Sequence, residues 1–162
     1  MPAPDPTTRL PTLWNRLAPL PGGRRLYSRI EARAIPYTGS VSPLLLDWDA
    51  GRARVSLADR RRVRNHLRSI HAVALTNLGE FASGLALVGG LEPGTQSIVT
   101  RLETLFHHKA RGRLVAEGSA PVAPVAEECE RLARAEIHDE DGRLVAEVVA
   151  TWRLRPRPEV QA

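Results

Sequence analysis

The stretch from Asn65 to Leu91 limits most severely what this chain can fold into. It opens on a basic, polar approach, Arg60 to His66, and then runs through small and apolar residues broken by one carboxylate, Glu80. Ala74, Leu75, Leu78, Phe81, Leu85 and Val88 recur at three- and four-residue spacing, the period of a helix, while Thr76, Asn77, Glu80, Ser83 and Gly84 share a narrow polar strip. The whole stretch reads as one buried helix. Ala72, Gly79, Ala82, Gly84 and Ala86 leave little side-chain bulk around it, so a sheet can approach closely, and Gly89-Gly90 supplies a stop.

The rest of the chain has to supply what buries that helix. At 162 residues it has the size of one domain, enough to bury a core without disulfides. Cys129 is the one cysteine, which excludes an intramolecular disulfide, a thiolate metal cluster and a CxxC redox pair; a reducing cytoplasm fits best. No charge-free apolar run reaches the length of a membrane span, and the start, Met1 to Asp5, lacks the basic and apolar regions of a signal peptide, so the expectation is a soluble protein. The net charge of +5 is carried almost wholly by arginine, with Lys109 the one lysine. Arginine suits phosphate groups, although an arginine-rich proteome from a GC-rich genome accounts for it as well. Nucleic acid is not expected, because the few aromatics show no stacking pattern among basic residues.

Residues 1–40 form an N-terminal helix and linker, and residues 41–155 the core of a single domain. Thr8 to Leu20 places Leu10, Leu13, Trp14 and Leu17 on one helical face, with Thr7 or Thr8 as N-cap, and Pro19, Pro21 and Gly22-Gly23 close it. Arg24 to Ile35 is a mixed segment without catalytic features. Strands begin at Val41: Ser42 to Asp47 and Ala53 to Ala58 flank a hairpin loop, Trp48 to Arg52. Beyond the helix, Gln96 to His108 reads as a half-buried strand with Ile98, Thr100, Leu102, Thr104 and Phe106 on one face. Arg113 to Ala120, Glu128 to His138 and Arg143 to Leu154 follow as a meander of hairpins. The fold class is α+β, an antiparallel sheet whose core partner is the long helix. A Rossmann or P-loop fold is excluded, since no Gly-rich phosphate loop follows a strand.

Asn65, His71-Ala72, Glu80, Arg101-Leu102-Glu103 and the run Ala110 to Gly118 stand in the order and spacing of a known group. From Ser42 to Leu154 the chain resembles the hotdog fold, in the acyl-CoA thioesterase branch related to phenylacetyl-CoA thioesterases, and more closely the uncharacterised DUF4442 group. The resemblance implies a curved antiparallel sheet wrapped around one central helix, a homodimer or tetramer, and sites shared between two chains. It also implies hydrolysis of an acyl-CoA or acyl-carrier thioester, with coenzyme A as part of the substrate and no further cofactor. Where such proteins carry His-Gly-Gly this chain has His71-Ala72-Val73, which keeps the Ala72 amide as a donor.

Thioester cleavage needs a positioned carboxylate and hydrogen-bond donors for the developing oxyanion. Glu80 is the candidate base or nucleophile, unless it merely faces water along the polar strip, and Ser83 and Gly84 beside it are candidate substrate contacts. His71 lies nine residues earlier, which at about 100 degrees per residue places it on the opposite face of a helix. The two can meet across a two-fold axis, one subunit bringing Asn65, His71 and the Ala72 amide and the other Glu80. His71 as a capping residue and Asn65 as a loop amide serving its own backbone are the alternatives. Lys109, Arg111 and Arg113 at a hairpin turn are candidates for the phosphates of coenzyme A, as is Arg60 to Arg64; a solvated turn is the plainer account. No metal is expected, because His107 and His108 point to opposite faces of a strand. Ser69 lacks a nucleophile elbow. A non-catalytic module binding an acyl group or acyl carrier is the second functional reading, and a dehydratase the third.

Overall fold

The computed structural model describes residues 6–156. Three helices, α1 (Pro6–Leu17), α2 (Gly23–Ala34) and α3 (Pro36–Val41), precede the hairpin of β1 (Leu44–Asp49) and β2 (Arg52–Leu57). The long helix α4 (Ala72–Gly89) leads to β3 (Gln96–Phe106), β4 (Leu114–Ser119), β5 (Cys129–His138) and β6 (Leu144–Arg155). These make one six-stranded sheet in the order β1-β2-β4-β5-β6-β3, antiparallel throughout. α4 lies across its inner face against β2, β4, β5 and β6.

Close approach of the helix to the sheet follows from missing side chains. A Cβ on Gly79 would overlap Val148 of β6, and one on Gly118 of β4 would overlap the Ala82 carbonyl of α4. Leu78, Ala82, Ala86, Val55, Leu114, Ala116, Ile137 and Val148 are fully buried between the two layers. At the far end Gly89 packs against Trp48, whose indole N–H donates to the Leu85 carbonyl at 2.6 Å and so ties the last turns of the helix to β1. By length and composition α4 would pass for a membrane span, Glu80 notwithstanding. Here it is a core helix, 67% buried inside the fold.

Several expectations need correction. The buried helix starts at Ala72, not Asn65. The Asn65 side-chain oxygen Oδ1 accepts from the amides of Leu67 and Ser69 and from the Ser69 hydroxyl, and this local network competes successfully with helix. Arg68 takes a positive φ of 56 within it. α1 already begins at Pro6, so Thr7 and Thr8 lie inside its first turn rather than at the cap. Val41 ends α3, and β1 runs on through Trp48 and Asp49, leaving Ala50-Gly51 as the turn, with Gly51 at φ 75. The later strands are not a simple meander. β3 crosses to the far edge and pairs with β6 alone, while β4 joins β2.

β3 also differs in its faces. A register shift between Val99 and Arg101 moves the alternation by one residue at Thr100. Val99, Leu102, Thr104 and Phe106 therefore oppose the inward-facing Trp152, Ala150, Val148 and Ala146 of β6, and Ile98 falls on the other side. In the single chain β3 is not half-buried. Ile98, Leu102, Leu105 and Phe106 are 64%, 40%, 63% and 51% exposed, because α4 barely reaches this edge.

Candidate functional site

Glu80 sits midway along α4, on the face turned away from the sheet and toward the N-terminal helices. There it borders a cavity of about 190 Å³ whose apolar wall includes Leu10, Ile35, Phe81, Leu85, Val88 and Trp152. Its carboxylate accepts no hydrogen bond from the described residues, and burial alone raises its pKa above the ordinary carboxylate value. A half-buried, unpaired carboxylate in an apolar hollow is poised to hold or take a proton.

A second carboxyl lines the same cavity, and sequence reasoning missed it. Glu31 of α2 is 3% exposed, and burial pushes its pKa up to about 8, against a smaller lowering by the Tyr27 hydroxyl, which donates to Glu31 Oε1 at 3.5 Å. Glu31 is therefore mostly neutral at pH 7. The signal was present in the mixed segment. Tyr27, Ser28 and Glu31 share one helical face, while Arg24, Arg25, Arg29 and Arg33 occupy the others, so α2 buries the face that holds its one acid. The rim is finished by Thr38 of α3, whose hydroxyl donates to Asn77 Oδ1 at 3.2 Å; Asn77 Nδ2 and Trp152 Nε1 are buried without a partner among the described residues.

The remaining candidates fall in different places. His71 is the exposed N-cap of α4, its Nδ1 accepting from the Val73 amide at 3.1 Å. With Nδ1 an acceptor, the ring proton of the neutral form sits on Nε2 and points outward as a donor. The Ala72 amide lies beside it in the first turn, among the orphan donors of the helix start. Within one chain His71 and Ala72 do not join Glu80. Asn65 holds its own loop, with its side-chain Oδ1 fully engaged. Gly84 borders the cavity and a Cβ there would press on Trp152 at 3.0 Å, whereas Ser83 is sealed, its hydroxyl donating to the Glu80 carbonyl.

The three basic residues of the turn do not converge. Lys109 and Arg111 face a hollow that also carries Asp139, Glu140 and Asp141, so their charge is offset. Gly112, at φ 71, turns the chain and donates its amide to Asp59 Oδ2 at 3.0 Å, and Arg113 emerges in another cleft, with Arg25, Arg29 and Arg60. Asp59 also receives Arg64 at 2.6 Å, a hydrogen bond that holds its carboxyl below the usual range, so Arg64 is occupied as well.

A six-stranded antiparallel sheet wrapped around one buried helix, entered by a hairpin and left by a crossover to the far edge, is a hotdog fold. The model of the DUF4442 family, a domain of unknown function, matches residues 23–154, and the chain belongs to that family. Among solved structures, protein PA5026 of Pseudomonas aeruginosa superposes with a TM-score of 0.71 at 21% identity, over 84% of this chain and 96% of that one. A thioesterase family protein from Silicibacter pomeroyi gives 0.67 at 20% identity, over 79% and 95%. The thioesterase SAV0944 of Staphylococcus aureus, as a point variant, gives 0.63 at 15%, over 75% and 99%. These likenesses establish the fold. No curated protein matches the sequence.

Proposed function

We propose that this protein hydrolyses an acyl thioester, with acyl-CoA as the first substrate class to test. The observation that carries the reading is Glu80: a carboxylate without a partner, its pKa raised, bordering an apolar cavity large enough for an acyl group. The names of the Silicibacter and Staphylococcus structures point the same way. In the ionised form Glu80 takes a proton from water as the water oxygen bonds to the thioester carbonyl carbon; the tetrahedral adduct then breaks its C–S bond and the departing thiolate takes that proton from Glu80. In the nucleophilic alternative the carboxylate bonds to that carbon, the thiolate leaves, and water opens the resulting anhydride. The donors this reading assigns to the oxyanion, at the start of α4, do not reach the Glu80 of their own chain. A second copy supplies them: the His71 Nε2–H and the Ala72 amide at the partner's helix start. Asn65 shapes the loop that leads into that start rather than touching the substrate.

The free edge of β3, with its exposed Ile98, Leu102, Leu105 and Phe106, is the natural seam for this assembly, since an apolar, unpaired edge strand invites pairing. A cavity of about 190 Å³ compares with the roughly 150 Å³ that accommodates benzene. The acyl group is accordingly compact, short-chain or aryl. A hydrolysis screen over short, long and aryl acyl-CoAs tests the reading. Turnover of the compact ones, lost in Glu80→Gln, supports it, and binding without turnover makes the protein an acyl-binding module instead.

A further inference from the structure

A concentration of unbalanced charge lies outside the Glu80 cavity. Arg25 and Arg29 of α2, Arg60 before the 3-10 turn Arg61–Val63, and Arg113 at the start of β4 border one cleft of about 610 Å³. None of the four makes an ion pair or a side-chain hydrogen bond with the described residues, and no carboxylate borders the cleft. Elsewhere Arg54 pairs with Glu117, Arg64 with Asp59, and Arg155 with Glu128. Arg25 and Arg29, one helical turn apart, repel each other, a small cost that local structure leaves uncompensated.

The floor gives an independent indication. Ser56 of β2 is 7% exposed, faces the cleft, and its hydroxyl has no partner among the described residues. Its strand neighbours Val55 and Leu57 point to the core, so Ser56 lies on the outer face of the sheet and the cleft does not merge with the Glu80 cavity. α2 forms a wall of both, presenting Glu31 to the cavity and Arg25, Arg29 and Ser28 to the cleft. Leu44, Leu46 and Val115 add an apolar patch beside the arginines. Four guanidinium forks, an unpaired hydroxyl and an apolar patch match a ligand that carries phosphate on a flat or apolar body.

We propose that this cleft binds a phosphate-bearing small molecule of nucleotide size, the guanidinium groups of Arg25, Arg29, Arg60 and Arg113 holding its phosphate oxygens and Ser56 donating from below. Two sources share this chemistry: the nucleotide head of coenzyme A, and a separate phosphorylated metabolite. The site itself stands without the thioesterase reading.

The test is titration calorimetry of the full chain at low salt with adenosine 3′,5′-bisphosphate and with inorganic pyrophosphate. Binding should weaken about tenfold or more in R25Q/R29Q and again in R113Q, and fall with added salt. R111Q, in the acid-balanced hollow, should bind like the wild type. The four side chains are exposed, so the variants should fold, and a thermal scan without ligand should show melting points at or above the wild type. Competition of the bisphosphate with acyl-CoA hydrolysis assigns the cleft to the carrier's head; binding without competition assigns it to a separate metabolite. No heat from either probe at millimolar concentration, or binding that R25Q/R29Q and R113Q leave unchanged, overturns the proposal.

Discussion

Replacing Glu31 by Gln should stabilise the protein at alkaline pH, by an amount that can be worked from its burial. The folded carboxyl titrates at about 8 against an ordinary 4.5. Between those values the unfolded chain has lost this proton and the folded chain keeps it. The contribution to stability is therefore complete below 4.5, declines as pH rises, and is gone above 8. At about 1.4 kcal/mol per pH unit the decline is on the order of 5 kcal/mol, a large part of the roughly 5–15 kcal/mol that holds a domain folded. Gln keeps the shape and an acceptor for the Tyr27 hydroxyl but has no proton to lose. Glu80 is shifted in the same direction and remains in both proteins, so its slope is common to them. Urea unfolding at one-unit steps from pH 5 to 9 should give similar stabilities at pH 5 and a widening gap in favour of E31Q by pH 8. Parallel stability profiles across the range would refute the burial argument.

Glu80→Gln should remove most turnover while leaving the fold intact, and the wild-type kcat/KM should rise with pH through a value above the ordinary carboxylate range; a stopped assay over pH 4–9 checks both. Chains carrying His71→Ala and Glu80→Gln should each be inactive alone and, after joint refolding, recover about one quarter of wild-type activity, since about half the dimers then hold one intact site in two. Recovery near zero with heterodimers confirmed by mass would rule out the shared site. Leu105→Glu, on the outer face of the free edge strand, should lower the mass seen by light scattering if β3 forms the seam. Gly79→Ala should destabilise by about 1–3 kcal/mol in urea unfolding, because the new methyl meets Val148 in a packed layer.

The sequence by itself determined the core. The three- and four-residue spacing from Ala74 to Val88 and the small residues beside it specified a helix that must be enclosed, and the alternating segments specified the sheet enclosing it. Glu80 was legible for the same reason, a lone carboxylate in an apolar helix. Local competition was legible only as an alternative, Asn65 serving its own loop and His71 capping the helix, and long-range placement was not legible. Asn65 claims the amides of Leu67 and Ser69 and delays the helix by seven residues, a local choice that periodicity does not register. The bulge at Thr100 reverses the faces of half a strand, and only pairing with β6 reveals it. Glu31 lies 49 positions before Glu80 and reaches the same cavity because α2 packs on β1 and on α3, which in turn meets α4. Likewise Arg113 parts from Lys109 and Arg111 because a left-handed glycine turns the chain between them. Side-chain chemistry is written residue by residue, but which groups share a space depends on packing between segments distant in the chain, and that is settled only when the whole fold closes.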